Sequence, residues 1–192
     1  MQNTTESLAL VGRFLQSWSN VEQAMHLAIS AATKLSPLMN AIVCANLTLR
    51  AKLSILQSLV DVSDLKDSQK ADLKKLLRKI GAFSENRNLI AHECFGIIEG
   101  EPGIGFMRVK ARGKFESSFI AWTRKAFQAH DKTMRSYYDE LMQLTVRLET
   151  SKFEVDDFTT LLQIVGSSAP RPSKIDVVAV PASSAHPVPA LP

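Results

Sequence analysis

Glycine and proline are scarce ahead of residue 95, which leaves the first half of this chain free to form long uninterrupted helices. Cysteine is nearly absent. Cys44 and Cys94 are the only two, and both fall inside apolar stretches. They are expected to be small buried hydrophobes in a reducing cytoplasm, which excludes a disulfide framework. No apolar run approaches a membrane-spanning length, so no transmembrane helix is expected. The first residues, Met1-Gln2-Asn3-Thr4-Thr5-Glu6, lack the basic and then apolar order of a secretory leader. A P-loop, a Gly-x-Gly-x-x-Gly turn after a strand, a His-Glu-x-x-His helix and a Gly-x-Ser-x-Gly elbow are all missing. Cysteine partners are also missing near His26, His130 and His186, so neither a zinc site nor any other metal or cofactor is expected.

What is present is ordinary for a globular protein: 45% apolar and 22% charged residues in a chain of 192. That is enough for one domain with a core plus a tail. The net charge of +4 suits a polyanionic partner without requiring one. Basic residues gather over Lys70–Lys79, where a solvated helix face accounts for them, and at Arg108, Lys110, Arg112 and Lys114.

Periodicity predicts four long helices. The first runs from about Thr5 to Lys34, with Val11, Leu15, Trp18, Met25 and Ile29 as its buried stripe. The second opens at Ser36-Pro37, a cap followed by proline in the first turn, and continues to about Val62 through Met39, Ile42, Leu49, Leu53, Leu56 and Val60. A third starts near Ser68 and carries Leu73, Leu76, Ile80, Phe83, Ile90 and Cys94. Glycines then break the pattern, and residues 95–119 are expected to form a small β-hairpin with Gly100-Glu101-Pro102-Gly103 at its tip. The last long helix begins between Ala121 and Asp131 and ends near Thr150, its stripe Met134, Tyr138, Leu141, Thr145 and Leu148. A short helix over Val155–Val165 would pack on it. Residues 167–192 hold six of the eight prolines and are expected to be a disordered tail. The expected architecture is an all-α, four- to five-helix up-and-down bundle over residues 1–166, with the hairpin inserted.

Two charges sit where apolar residues belong. At 100° per residue, Arg87 falls among Leu73, Leu76, Ile80, Phe83 and Ile90, and Glu22 occupies the apolar stripe of the first helix. Buried charges cost several kcal/mol unless paired, so Glu22 and Arg87 are expected to meet. The pair is either a structural ion pair or a device that aims a guanidinium at a phosphate, for which the planar fork of arginine is suited. His92 lies about 140° around the helix from Arg87, so the two cannot share a ridge, though both can reach a cleft above it. Asn88 sits one turn before His92.

The segment Glu85-Asn86-Arg87-Asn88-Leu89-Ile90-Ala91-His92-Glu93 resembles the Arg-(polar)-x3-His signature of HEPN-domain proteins, and Trp18-Ser19-Asn20-Val21-Glu22 resembles their first-helix pattern. The likeness spans roughly residues 7–150. It implies a helical bundle that forms a homodimer and cleaves RNA without metal. On that resemblance His92 serves as general base or acid, Arg87 binds the scissile phosphate, and Asn88 assists positioning. Glu22 and Glu85 support them, the 2′,3′-cyclic phosphate is the product, and Arg108, Lys110, Arg112 and Lys114 hold the RNA. A toxin or phage-defence effector with an antitoxin or other regulatory protein partner fits this reading. The HepT branch places a nucleotide-accepting tyrosine two residues after the histidine, and here Cys94 stands there. The alternative from a different class is a non-catalytic dimeric module binding RNA, a nucleotide or a protein.

Overall fold

A computed structural model describes residues 2–111 and 115–152, with side chains described for 3–108 and 117–152. The chain is mostly helical. Its described elements are α1 (Gln2–Thr33), α2 (Pro37–Ala45), α3 (Leu49–Val62), α4 (Asp67–His92), β1 (Cys94–Ile97), β2 (Gly103–Ala111), β3 (Phe115–Thr123) and α5 (Arg124–Thr150). The expected helix over Val155–Val165, the tail at 167–192, and Arg112 and Lys114 lie outside the described residues. No helix among those described is long and apolar enough to cross a membrane.

Helix α1 is the central element, packed chiefly on α5 and also on α3 and α2, while α4 packs chiefly on α3. Its buried stripe is Leu10, Phe14, Trp18, Val21, Met25 and Ile29. Leu15 is exposed, so the stripe is rotated from the expected one at its N-terminal end, where Phe14 rather than Leu15 enters the core.

The single helix expected over 36–62 is two helices. Ser36 caps α2 as expected, its Oγ accepting from the Met39 N–H at 3.4 Å. Asn46 then ends α2, its side-chain amide donating to the Ile42 carbonyl at 2.8 Å, and Thr48 starts α3 by accepting from the Ala51 N–H at 3.2 Å. These local side-chain bonds offer the backbone an alternative to continuing the helix. Met39 and Ile42, expected in the core, are about half exposed as a result, whereas Leu56 and Val60 are buried.

Where a hairpin was expected there is a three-stranded antiparallel sheet in the order β1-β2-β3. Gly100, at φ +88, lies in the β1–β2 turn, a conformation that favours glycine. Register pairs Phe95 with Phe106 and Ile104 with Trp122, so alternate residues form one apolar inner face. Ile104, Phe106 and Trp122 on that face are buried. Trp122 contacts Phe14, Phe106, Phe127 and His130 with ring centroids 5.5, 5.2, 5.5 and 4.2 Å apart. A polar tie adds to this packing: the Gly103 N–H donates to the fully buried Ser7 Oγ at 3.0 Å. A side chain at position 103 would strike the Trp122 carbonyl, which explains the glycine there.

In α5 the buried residues are Phe127, Met134, Leu141, Leu144 and Leu148, while Tyr138 is exposed and its neighbour Tyr137 packs edge-on against Phe83 at 5.7 Å. Cys44 is buried as expected, but Cys94 is exposed. Helix α4 ends before Cys94 and the residue joins β1, which removes it from the apolar stripe of α4.

Burial depresses the pKa of His130 within the aromatic cluster. It does the same to His26, where the nearby Lys52 ammonium adds to the depression and Glu22 opposes it. A depressed histidine pKa means that the unfolded chain binds more protons at mildly acidic pH, so stability rises with pH in that window. The thermal midpoint should therefore hold above about pH 6.5 and fall as pH drops below that value. His130→Phe, which keeps an aromatic ring, should flatten part of that fall. An unchanged pH profile in the variant would remove His130 from this account.

Candidate functional site

The helical backbone of α4 stops at His92, and Glu93 adopts an extended conformation (φ −88, ψ 149) while its N–H still donates to the Leu89 carbonyl at 3.2 Å. The chain passes directly into β1. The last turns of α4 therefore face solvent beside the sheet. His92 and Asn88 are exposed and Arg87 is half-buried.

Arg87 reaches along the helix toward this end. Its Nη1 lies 3.3 Å from His92 Nε2 and donates to Asn88 Oδ1 at 3.4 Å. The angular offset between positions 87 and 92 separates their Cβ atoms, but the long arginine stem spans it. A guanidinium can only donate, so this contact needs a lone pair on Nε2 and places the imidazole proton on Nδ1. Among the described residues, no carboxylate forms an ion pair with Arg87. Its remaining N–H groups are free to hold a phosphate in the bidentate manner open to arginine.

Glu22 does not meet Arg87. It is half-buried on α1 near His26, and no hydrogen bond or ion pair joins it to α4 among the described residues. The reason lies in the packing: α1 turns its main surfaces to α5 and α3, and α4 turns its main surface to α3.

Glu85 has a different partner. Arg108 on β2 places Nη2 3.1 Å from Glu85 Oε2 and Nε 3.9 Å from Glu93 Oε1. Glu85 is seven residues before His92 and thus on nearly the same ridge of α4. Arg108, expected from the sequence to contact RNA, is therefore engaged with two carboxylates that bracket the histidine. Glu93 was given no role from sequence, because its partner lies across a strand turn whose register no local pattern reveals. Lys110 belongs to β2, but its side chain is not among those described.

No family model matches this chain, and neither does any curated protein or solved structure. The site stands on its own geometry. Arg87, Asn88 and His92 form one exposed cluster at the end of α4, with Glu85, Glu93 and Arg108 tying that end to the sheet. Among the described residues no three His, Cys, Asp or Glu side chains are grouped as a metal ion would need. His130, half-buried against Trp122, Phe14 and Phe83, serves packing.

Since Arg87 is half-buried and strands no carboxylate when removed, Arg87→Ala should cost under about 1 kcal/mol in chemical denaturation. A loss of about 3 to 5 kcal/mol would instead reveal a buried partner left uncompensated.

Proposed function

We propose that this chain is a metal-independent endoribonuclease of the HEPN type, an up-and-down helical bundle that acts as a homodimer. The observation that carries the reading is Arg87, a guanidinium with no carboxylate partner among the described residues, whose Nη1 lies 3.3 Å from His92 Nε2 on an exposed helix end. A cation and a proton acceptor at that spacing suit attack by a ribose 2′-hydroxyl on its own phosphate.

In the reaction, Arg87 Nη1 leaves His92 Nε2 for the phosphate, and the freed Nε2 lone pair takes the proton from the 2′-hydroxyl as the oxygen attacks phosphorus. Charge develops on the non-bridging oxygens, where the Arg87 fork holds it. The 5′-oxygen leaves with a proton, giving a 2′,3′-cyclic phosphate and a 5′-hydroxyl. Attack and departure occur on opposite sides of phosphorus, beyond the reach of one imidazole. A homodimer in which two such helix ends face each other supplies the second His92, in its protonated imidazolium form and released from its own Arg87, as the acid that gives the leaving oxygen its proton. Asn88, within hydrogen-bond reach of Arg87, keeps the fork directed at the phosphate. The role is that of a toxin or phage-defence effector acting on cytoplasmic RNA, restrained by a regulatory protein partner.

Purified protein should cleave tRNA or mRNA in EDTA. His92→Ala should slow cleavage by at least about 10²-fold, the usual contribution of a positioned acid or base. Arg87→Ala should lower it by about 10²- to 10³-fold, as for removal of a donor to a developing oxyanion. Both variants should melt near the wild-type temperature. Full activity in His92→Ala would overturn the proposal.

A further inference from the structure

Helix α2 has the composition of a buried helix, yet only one of its sides is buried. Its buried residues are Asn40 and Cys44. The Asn40 amide donates to the His26 carbonyl of α1 at 3.1 Å, and the Cys44 thiol donates to Asn40 Oδ1 at 3.5 Å. The outer side carries Leu38, Met39, Ile42 and Val43, which are 71%, 50%, 51% and 37% exposed. At 100° per residue these four form one continuous face. A helix that is apolar all round belongs in an interior, and a contiguous exposed apolar patch marks a contact surface.

Charge stands only at the borders of this face. From Leu35 to Leu49 the chain carries none. Lys34 and Arg50 flank the stretch and are both exposed, and no acid falls between Lys34 and Lys52. A second copy of α2 laid on the first would bring these bases toward each other, whereas an apolar segment with acidic residues would meet complementary charge.

The chain delivers such a segment to this place. Helix α5 ends at Thr150, and Ser151 is already extended (φ −66, ψ 144). Lys34 Nζ donates to the Glu149 carbonyl at 2.7 Å, so the end of α5 lies beside the entry to α2 at Pro37. Residues 153–165, which lie outside the described residues, follow at once. In their sequence Val155, Phe158, Leu162 and Val165 recur at the spacing of one helix face, and the only charges are Glu154, Asp156 and Asp157. The nine residues of α2 make a face about 13 Å long, which a segment of this size can cover from end to end even when helical. Helix α5 is the poorer bed, since Tyr138 and Val146 are its large exposed apolar side chains among those described.

We propose that residues 153–165 fold back on the outer face of α2 and cover Leu38, Met39, Ile42 and Val43. The inference does not rest on the RNA-cleaving reading. Helix α2 is held to α1 at His26, whereas the sheet beside Arg87 and His92 is tied to α1 at Ser7, about 28 Å away along that helix.

Ile42 is exposed, so a photoreactive benzophenone side chain can replace it in the full-length protein without entering the core. Irradiation and peptide mapping should give links from position 42 to residues 153–165. Mixing copies with ordinary and heavy isotopes separates links within a chain from links between chains, and the links expected are within one chain. A second measurement compares hydrogen exchange in the wild type and in Phe158→Asp/Leu162→Asp. Amides over 41–45 should exchange at least about tenfold faster in the variant, a change within reach of one large apolar side chain losing its burial. Amides of α1 and α5 should exchange as in the wild type.

Links confined to neighbouring copies would assign the face to self-association and overturn the proposal. Links that fall on α5 alone, or on no part of residues 153–165, would also overturn it. So would exchange over 41–45 that is indifferent to Phe158→Asp/Leu162→Asp.

Discussion

The indole of Trp122 fixes where the sheet sits on the helices, and the candidate site depends on that placement. Its ring lies 4.2 Å from His130 of α5, 5.5 Å from Phe14 of α1 and 5.2 Å from Phe106 of β2, measured between centroids. Phe83 of α4 joins the same cluster through Phe14 at 6.2 Å and His130 at 5.5 Å. Three helices and two strands thus meet in one aromatic cluster. Aromatic pairs add to the large apolar area such residues bury, so this contact outweighs any single polar tie in the region. With the sheet anchored there, β2 must pass beside the last turns of α4, and Arg108 comes within reach of Glu85 and Glu93.

Magnitudes separate anchoring from positioning at the helix end. The Arg108 pairs are partly exposed, and ion pairs of that kind contribute little to stability. Their value is geometric, since they hold the two carboxylates that bracket His92. Arg87 stands apart from this network. Arg108 holds Glu85 and Glu93, while the guanidinium of Arg87 lies against His92 and Asn88. The same division explains why basic residues near the site do not all serve the same purpose.

Much of this was legible in the sequence. The stripe of α4 over Leu73, Leu76, Ile80, Phe83 and Ile90, the Ser36 cap and the glycine-rich change of period after residue 95 all follow from side-chain spacing and turn chemistry. The break between α2 and α3 did not follow, because Met39 and Ile42 keep helical spacing while only Asn46 and Thr48 carry the interruption. The hairpin expected over residues 95–119 stops short of the end of the third strand at Thr123, since Phe115–Thr123 contains no glycine or proline to mark that end. At the site, the segment holding Arg87, Asn88 and His92 stood out, but its partners did not. A helical wheel shows that Glu22 and Arg87 interrupt apolar stripes without showing which helices face each other.

The central claim is that the Arg87–His92 pair cleaves RNA by using the ribose 2′-hydroxyl as nucleophile. The most direct measurement compares an RNA strand with the same strand carrying 2′-O-methyl groups throughout, both incubated with the wild-type protein in EDTA. The account predicts that the unmodified strand is cut to fragments ending in 2′,3′-cyclic phosphate while the methylated strand stays intact. Cleavage of both strands, or of neither, would contradict it.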